Sequence, residues 1–188
     1  MPHTLLRALR PALLAALLLP LPALATDYVQ LPGSSLAFAG KYQGEVFTGT
    51  FPGFVTTLRF DPARLDAAAL SVAIPLASAT TRNDDYDLEM RGPAFLDAAK
   101  FAQATYTAHR FRDLGDGNYA ADGELSLRGV RKPVTLHFHW TPGARPLLSG
   151  RASVRRLDFG VGGGEWADTG TIPDEIAVST RVYLRPAD

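Results

Sequence analysis

Two histidines, His137 and His139, have a spacing that could serve metal chemistry. Side chains at positions i and i+2 of a strand lie on one face, where two imidazoles can bind zinc or copper. The alternate positions hold Leu136, Phe138 and Trp140, which favour the buried face. We therefore expect the histidines to face solvent. Since no third ligand is evident near them, the sequence predicts no metal site.

A short run of acidic residues could supply paired carboxylates for acid–base chemistry or for calcium binding. Its members are Asp84, Asp85, Asp87 and Glu89. Their spacing does not match an EF-hand loop. The polar pattern of residues 84–91 predicts a short surface helix that ends at Gly92, with its acids favoured near the helix start by the helix dipole. We expect these carboxylates to form a solvated face.

The segment 157–170 is rich in glycine and raises the possibility of a phosphate-binding loop. The glycines are Gly160, Gly162, Gly163 and Gly164. A dinucleotide fingerprint would need a further glycine where Glu165 stands, followed by a helix, whereas this segment leads through Pro173 into a predicted strand. No Gly-Lys-Ser/Thr phosphate loop occurs either. The glycines are therefore predicted to form a loop between two strands.

Nucleophilic catalysis has little support. The chain contains no cysteine and no G-x-S-x-G elbow. Tyr42 and Tyr106 are predicted to point inward, where a phenol could act as an acid but is more often part of an aromatic wall. We predict a protein that is not an enzyme, and an enzyme acting on a lipid or small apolar substrate is the alternative.

Residues 1–25 have the pattern of a secretory signal peptide. Arg7 and Arg10 precede an apolar run, and Ala23-Leu24-Ala25 suits cleavage after Ala25. The rest, residues 26–188, is predicted to form one domain. The 19 basic and 19 acidic residues balance, and loss of the two leader arginines leaves 17 − 19 = −2. A mildly acidic chain lacks the basic surface that nucleic acids require, so no nucleic acid is expected as a partner.

Strand signals dominate the predicted domain. Apolar and polar residues alternate in segments of strand length, and each segment has one candidate buried face. The predicted strands are 35–42, 54–60, 70–76, 104–112, 119–127, 134–140, 147–154 and 176–184. Helical signal is confined to 84–91 and to a short turn over 93–99. About eight short strands with one helical interruption predict an all-β, antiparallel sandwich or barrel.

Several motifs together resemble the YceI family. They are FLDAAKF at 95–101, GELSLRGVRKPVTL at 123–136 and DFGVG at 158–162. Their order and spacing extend the resemblance over the whole predicted domain. GEWADT at 164–169, with Gln43-Gly44 upstream, resembles the subgroup that sometimes accompanies cytochrome b561-like membrane proteins.

The resemblance implies an antiparallel, lipocalin-like β-barrel of about eight strands with one or two short helices. It also implies a periplasmic carrier for a long isoprenoid lipid, either a polyprenyl phosphate or a prenylated quinone. No cofactor beyond that lipid is expected. A cytochrome b561-like membrane protein is a possible partner, and two barrels could pair as a homodimer.

We predict that the ligand contacts inward-facing apolar side chains. These are Phe38, Tyr42, Phe47, Phe54, Leu58, Phe60, Ile74, Tyr106, Leu125, Phe138, Trp140, Val178 and Val182. Gln43, Arg82 and Trp166 are predicted to lie at the rim, near the polar head group of the ligand. Trp166, beside the flexible glycines, could also face a membrane or a membrane protein.

The residues alone leave open whether the barrel is hollow. Small side chains interrupt the predicted inward faces, and they are Gly40, Ala121, Gly123, Gly150 and Ala152. They would leave room for a ligand, or they would let a filled core taper. The resemblance favours a cavity.

Overall fold

The computed structural model describes residues 25–187, and the predicted signal peptide lies, apart from Ala25, outside them. Within this range the fold has ten strands, one α-helix and four short 3-10 helices. The strands are β1 Thr26–Gln30, β2 Ser35–Tyr42, β3 Glu45–Thr50, β4 Val55–Phe60, β5 Ala69–Pro75, β6 Gln103–Gly115, β7 Asn118–Leu127, β8 Val130–Thr141, β9 Leu147–Arg155 and β10 Glu175–Pro186. The helix, α1, spans Asp84–Arg91 as predicted. The segment 93–99 forms hydrogen-bonded turns and no second helix.

The sheet closes into an antiparallel barrel. Each strand from β4 to β9 pairs with the next one along the chain, and β1 closes the ring by pairing with both β4 and β10. This ring contains eight of the strands, which confirms the predicted barrel. The hairpin β2–β3 is added at one end, where β2 pairs with residues 177–181 of β10.

The sequence prediction missed β1 and β3. The first is only five residues long and mostly polar, so it has almost no apolar alternation to detect. In β3 the inward positions are Phe47 and Gly49, while Val46 is 69% exposed. Glycine carries no side chain to mark a buried position, and the Cβ of any larger residue at Gly49 would lie 2.2 Å from the ring of Phe38.

Helix α1 begins with a side-chain cap. Asn83 precedes it in an extended conformation and accepts a hydrogen bond from the amide of Tyr86, as N-cap residues do. The expectation that all four acids are solvated was wrong for Asp87, which is 6% exposed. Its carboxylate accepts hydrogen bonds from Thr80 and Thr81. Burial raises the pKa of this carboxyl, but those hydrogen bonds outweigh burial, so that the pKa lies below its usual value.

One end of the barrel is filled by an aromatic cluster. Its members are Tyr28, Phe60, Phe111, Tyr119, Phe138 and Trp140. Phe60 lies at the centre, with its ring centroid 5.1 Å from those of both Tyr119 and Trp140. Edge-to-face packing at such distances adds to the free energy gained by burying the rings. We call this end the closed end of the barrel.

The small inward residues mostly accommodate large neighbours. A Cβ at Gly40 would lie 2.6 Å from the ring of Phe47, and one at Gly123 would lie 2.6 Å from that of Tyr106. At Gly150 the Cβ would lie 2.9 Å from Leu136. These positions therefore make space for side chains of adjacent strands, and they do not by themselves create a cavity.

The outer surface carries the two histidines of β8. His137 and His139 are exposed, as predicted, and the Nδ1 atom of His139 lies 3.2 Å from Oδ1 of Asn118. Within residues 25–187, no three His, Cys, Asp or Glu side chains come together as a metal site would require. No helix in the same range is long and apolar enough to cross a membrane.

The closed end should dominate the stability of the domain. Phe60 is 1% exposed, so Phe60→Ala should lower the free energy of unfolding by about 3–5 kcal/mol through lost burial and an unfilled cavity. Urea denaturation measures the change. Val55→Ala on the same strand is the control, because Val55 is 57% exposed and should change stability by less than about 0.5 kcal/mol. A loss below about 1 kcal/mol in Phe60→Ala would contradict this role of the cluster.

Candidate functional site

A cavity of about 370 Å³ occupies the half of the barrel opposite the aromatic cluster. Strand β10 shows how the interior changes along its length. Ile176, Val178 and Thr180 face the cavity and are partly exposed, Val182 faces it and is buried, and Leu184 is fully buried in the core. The interior is therefore hollow at one end, which we call the mouth, and packed at the other.

Most of the predicted ligand-contacting residues line this cavity. They are Phe38, Tyr42, Phe47, Ile74, Tyr106, Leu125, Val178 and Val182. Each lies on the inward face of a strand, in its half nearer the mouth or at the border with the packed end. The period of two in a strand is sufficient to predict that these side chains point inward.

The other five predicted residues do not line the cavity. Phe54, Leu58, Phe60, Phe138 and Trp140 point inward as expected, but all are buried in the core. Three of them, Phe60, Phe138 and Trp140, belong to the aromatic cluster. Alternation assigned the correct face, but it carries no information on position along the barrel axis.

The mouth is formed by α1, the β2–β3 hairpin and the glycine-rich loop between β9 and β10. Trp166 of the loop lines the cavity, and its ring centroid lies 5.4 Å from that of Phe95 and 6.5 Å from that of Tyr42. Arg128 fixes the backbone at Phe95, because its guanidinium donates to the carbonyl oxygens of Pro93 and Phe95. The hairpin, the glycine-rich loop and the turn that follows α1 thus meet in an aromatic rim.

The other two predicted rim residues do not line the cavity. Gln43 stands at the hairpin tip, where its backbone amide donates to the carbonyl of Thr171 at 2.9 Å and joins the hairpin to the loop. Arg82 is exposed just before α1 and has a left-handed backbone, with φ of 65°. Of the three, only Trp166 is among the cavity-lining residues.

Arg156 holds the glycine-rich loop together. It is 3% exposed, and its guanidinium donates to five backbone carbonyls, while no carboxylate of residues 25–187 lies within ion-pair distance. The acceptors belong to Val161, Gly162, Trp166, Ile172 and Pro173. A guanidinium has five N–H donors, so all of them are used. Burial lowers the pKa of Arg156, and the nearby Asp174 acts in the opposite direction.

The geometry around Arg156 explains why the loop needs glycine. Gly162 has φ of 62°, and a Cβ there would lie 2.6 Å from Nη1 of Arg156 and 2.9 Å from the ring of Phe95. A side chain at this position would displace both neighbours. The loop therefore encloses a cation with its carbonyl groups, in contrast to a phosphate loop, which presents N–H groups to an anion.

The cavity wall is almost entirely apolar. Its charged members are Glu89, exposed on α1, and Arg156, whose donors are already used. The hydroxyl of Tyr106 donates to the carbonyl of Ala121 at 2.8 Å and lies 3.1 Å from that of Val134. Burial raises the pKa of Tyr106 to about 12, so this phenol keeps its proton at neutral pH.

Sequence reasoning missed several lining residues. Phe51, Met90, Phe95, Val161, Ile172 and Ile176 also face the cavity, as do Thr56 and Arg156. Ile176 continues the alternation of Val178 and Val182, so that pattern could have identified it. The others lie mainly in turns, in the helix and in the loop, where the period of two does not apply.

The family assignment follows from comparison with known sequences. The family model of the YceI-like domain matches residues 29–184. The chain belongs to the YceI family. A UPF0312 protein of Shewanella baltica is 32% identical over 159 residues, which cover 78% of this chain and 83% of that relative. A UPF0312 protein of Shewanella oneidensis is 30% identical over the same length.

Solved structures share the fold. BcnA from Burkholderia cenocepacia superposes with a TM-score of 0.79 at 27% identity, over 82% of this chain and 98% of BcnA. A polyisoprenoid-binding domain from Saccharophagus degradans, implicated in plant cell wall breakdown, superposes with a TM-score of 0.65 at 17% identity. That match covers 87% of this chain and 99% of that domain, and at such low identity it supports the fold alone.

Loss of the Arg156 guanidinium should loosen the mouth. Arg156→Met leaves five buried or partly buried carbonyls without their donor, so we expect a loss of about 2–4 kcal/mol in urea denaturation and faster amide hydrogen exchange over residues 156–173. Arg155→Met is the matched control. Its side chain is 70% exposed in an ion pair with Asp174, and such pairs contribute at most about 1 kcal/mol. Equal effects of the two substitutions would contradict the role of Arg156.

The buried Tyr106 predicts a specific alkaline response. Above pH 10 the unfolded chain loses its phenolic proton while the folded chain keeps that of Tyr106, because burial raises its pKa to about 12. The stability of the domain should therefore fall as the pH rises from about 10 to about 12. In Tyr106→Phe, urea denaturation should show a shallower fall, and titration of the near-ultraviolet absorbance should show one late-ionising tyrosine fewer. A late step that is unchanged in Tyr106→Phe would contradict the assignment.

Proposed function

We propose that this protein is a periplasmic carrier that holds the apolar chain of an isoprenoid lipid in its barrel cavity and performs no reaction on it. The observation that carries the proposal is the apolar cavity of about 370 Å³ behind an aromatic mouth. Small-molecule sites commonly have volumes of about 300–1,000 Å³ with mainly hydrophobic walls. The polyisoprenoid-binding domain of Saccharophagus degradans, which has the same fold, supports the choice of ligand class.

The binding energy would come from partition of the chain out of water. Each buried methylene is worth about 0.8 kcal/mol, and a few isoprene units can outweigh an ordering cost of about 4–15 kcal/mol. The wall is already shaped by the closed sheet, so the protein itself has little to reorganise. Such a site binds and releases a lipid without needing a catalytic group.

The charges at the site favour an uncharged prenyl lipid, such as a prenylated quinone, over a polyprenyl phosphate. Glu89 is an exposed carboxylate in the cavity wall, and it would repel a phosphate near the mouth. Arg156 could attract an anion, but the loop carbonyls already occupy its donors. A quinone ring carries no charge that would oppose Glu89.

Export to the periplasm, association with a cytochrome b561-like membrane protein and pairing of two barrels stay predictions. The leader segment 1–25 and the aromatic rim at Trp166 motivate the first two. Residues 25–187 contain no cluster of His, Cys, Asp or Glu that could hold a metal, and the inward phenol of Tyr106 keeps its proton. No specific observation therefore favours the enzyme alternative.

The carrier function can be tested by identifying the ligand directly. We expect native mass spectrometry of protein purified from the periplasm to show one bound lipid, and organic extraction to return it as an intact isoprenoid. Ala152→Phe should abolish this binding, because Ala152 lines the cavity and a phenyl ring there would fill it.

Ala177→Phe is the control for the cavity-filling variant. Ala177 is exposed on the neighbouring strand and faces outward, so its substitution adds the same ring without entering the cavity. Lipid should remain bound to Ala177→Phe. A protein that is purified without lipid and cannot take up added prenylated quinone or polyprenyl phosphate would disprove the carrier function.

A further inference from the structure

One polar side chain at the inner end of the cavity has an unused hydrogen-bonding group. Thr56 lines the cavity and is 2% exposed. Its Oγ1 atom has no hydrogen-bond partner among residues 25–187. A hydroxyl that leaves water without gaining a partner costs free energy. A valine of the same shape would avoid that cost, so the hydroxyl calls for a specific explanation.

The position of Thr56 is at the boundary between the hollow and packed halves. The inward residues of β4 are Thr56, Leu58 and Phe60, in that order towards the closed end. Leu58 and Phe60 are in the core, and Phe60 is central to the aromatic cluster. Thr56 is therefore the last residue of β4 that a ligand can reach. Its partner across β5 is Val72, which offers no polar group.

A second unpaired oxygen lies close to this hydroxyl in the sheet. The β1–β4 register pairs Tyr28 with Leu58 and Val29 with Thr57, so its continuation brings Gln30 opposite Thr56. The Nε2 atom of Gln30 donates to the carbonyl of Phe54 at 3.1 Å, while its buried Oε1 has no partner among the described residues. Two buried oxygens without partners thus lie on neighbouring strands at this level of the barrel, and of their two residues Thr56 lines the cavity.

Three other hydroxyl groups of the cavity wall are hydrogen-bonded within the protein. Thr180 donates to the carbonyl of Ser35 at 2.9 Å, and Thr81 donates to Asp87 at 2.8 Å. Tyr106 donates to the carbonyl of Ala121. Thr56 differs from these three because its hydroxyl is buried without a partner among the described residues, and a ligand in the cavity reaches it only when the side chain rotates about the Cα–Cβ bond.

We propose that Thr56 anchors the inserted end of the ligand, and that this end carries an uncharged oxygen, as a hydroxyl or carbonyl group. The apolar chain then extends from Thr56 towards the mouth, so the lipid enters with its oxygen-bearing end first. This inference rests on the proposed function, in which an isoprenoid occupies the cavity. The charged wall residues, Glu89 and Arg156, are both at the mouth. An ionised group at the inner end of the cavity, beside Thr56, would therefore have no opposite charge near it.

The anchor should determine selectivity more than affinity. Most of the binding energy comes from the buried chain, which any apolar molecule of suitable shape can supply. One hydrogen bond changes the preference between two ligands of the same skeleton by about 3–10-fold. Thr56 should therefore distinguish an alcohol from the corresponding hydrocarbon, while it leaves the capacity for hydrophobic binding intact.

A competition between two matched probes tests this anchor. Wild-type protein and Thr56→Val are each mixed with equal amounts of farnesol and farnesene, and the bound lipids are extracted and quantified. The ratio of bound farnesol to farnesene should fall by about 3–10-fold in Thr56→Val relative to wild type. Because delivery and solubility of the probes are the same for both proteins, they cancel in this comparison.

Matched variants separate the anchor from structural effects. Thr56→Ser keeps the hydroxyl and should retain the wild-type ratio, and Thr57→Val alters the exposed neighbour and should do the same. Ligand-free Thr56→Val should melt at or above the wild-type temperature, because it removes an unpaired buried hydroxyl. If it does not fold, Thr56→Ala provides the same loss of the hydroxyl.

The possible failures are distinguishable. An unchanged ratio in Thr56→Val, with both probes still bound, would overturn the anchor and leave the carrier function intact. That result would mean that Gln30 or an ordered water satisfies the hydroxyl. If wild-type protein retains neither farnesol nor farnesene, nor any isoprenoid from the periplasm, the proposed function fails and the anchor fails with it.

Discussion

The mouth of the barrel depends on one buried cation. Arg156 is placed where a charge without a carboxylate partner would be costly, and five carbonyl groups of the glycine-rich loop compensate that cost. The same bonds determine the path of the loop, and with it the position of the Trp166 ring against Phe95. Gly162 is needed because the guanidinium occupies the space of a side chain. A single arginine therefore links an irregular loop, an aromatic rim and the entrance to the cavity.

A second constraint is the division of the interior into a packed half and a hollow half. A barrel of about eight strands encloses a space that side chains can just fill. At the closed end large rings meet around Phe60 and fill it. Towards the mouth the inward residues of β9 and β10 are aliphatic or small, as with Ala152 and Val178, and a cavity remains between them and the aromatic rings of the mouth. The packed end supplies the stability that allows the other end to stay open.

The sequence was sufficient for the parts of the fold governed by local rules. Alternation located the strands of the barrel other than β1, and the polar run 84–91 followed by Gly92 located α1. It could not predict whether the barrel is hollow, because that depends on which side chains meet across strands. Gly40 was compatible with free space or with a tapering core, and Phe47 of the undetected β3 occupies the space beside it. Arg156 gave no signal either, since its partners are backbone carbonyls, which every residue has.

The cavity separates the sources of affinity and selectivity. The binding free energy that its apolar wall supplies to any long hydrocarbon chain grows with the buried area. By itself the wall would therefore select ligands only by length and shape. Selectivity needs a polar group that is unsatisfied until the correct ligand binds, because a ligand without the matching atom leaves that group unpaired. Among the polar side chains of the wall, Thr56 fits this description, while Tyr106 and Thr180 are already bonded to the protein. A single unpaired hydroxyl at the inner end of an apolar cavity is thus sufficient for a carrier to select one class of lipid.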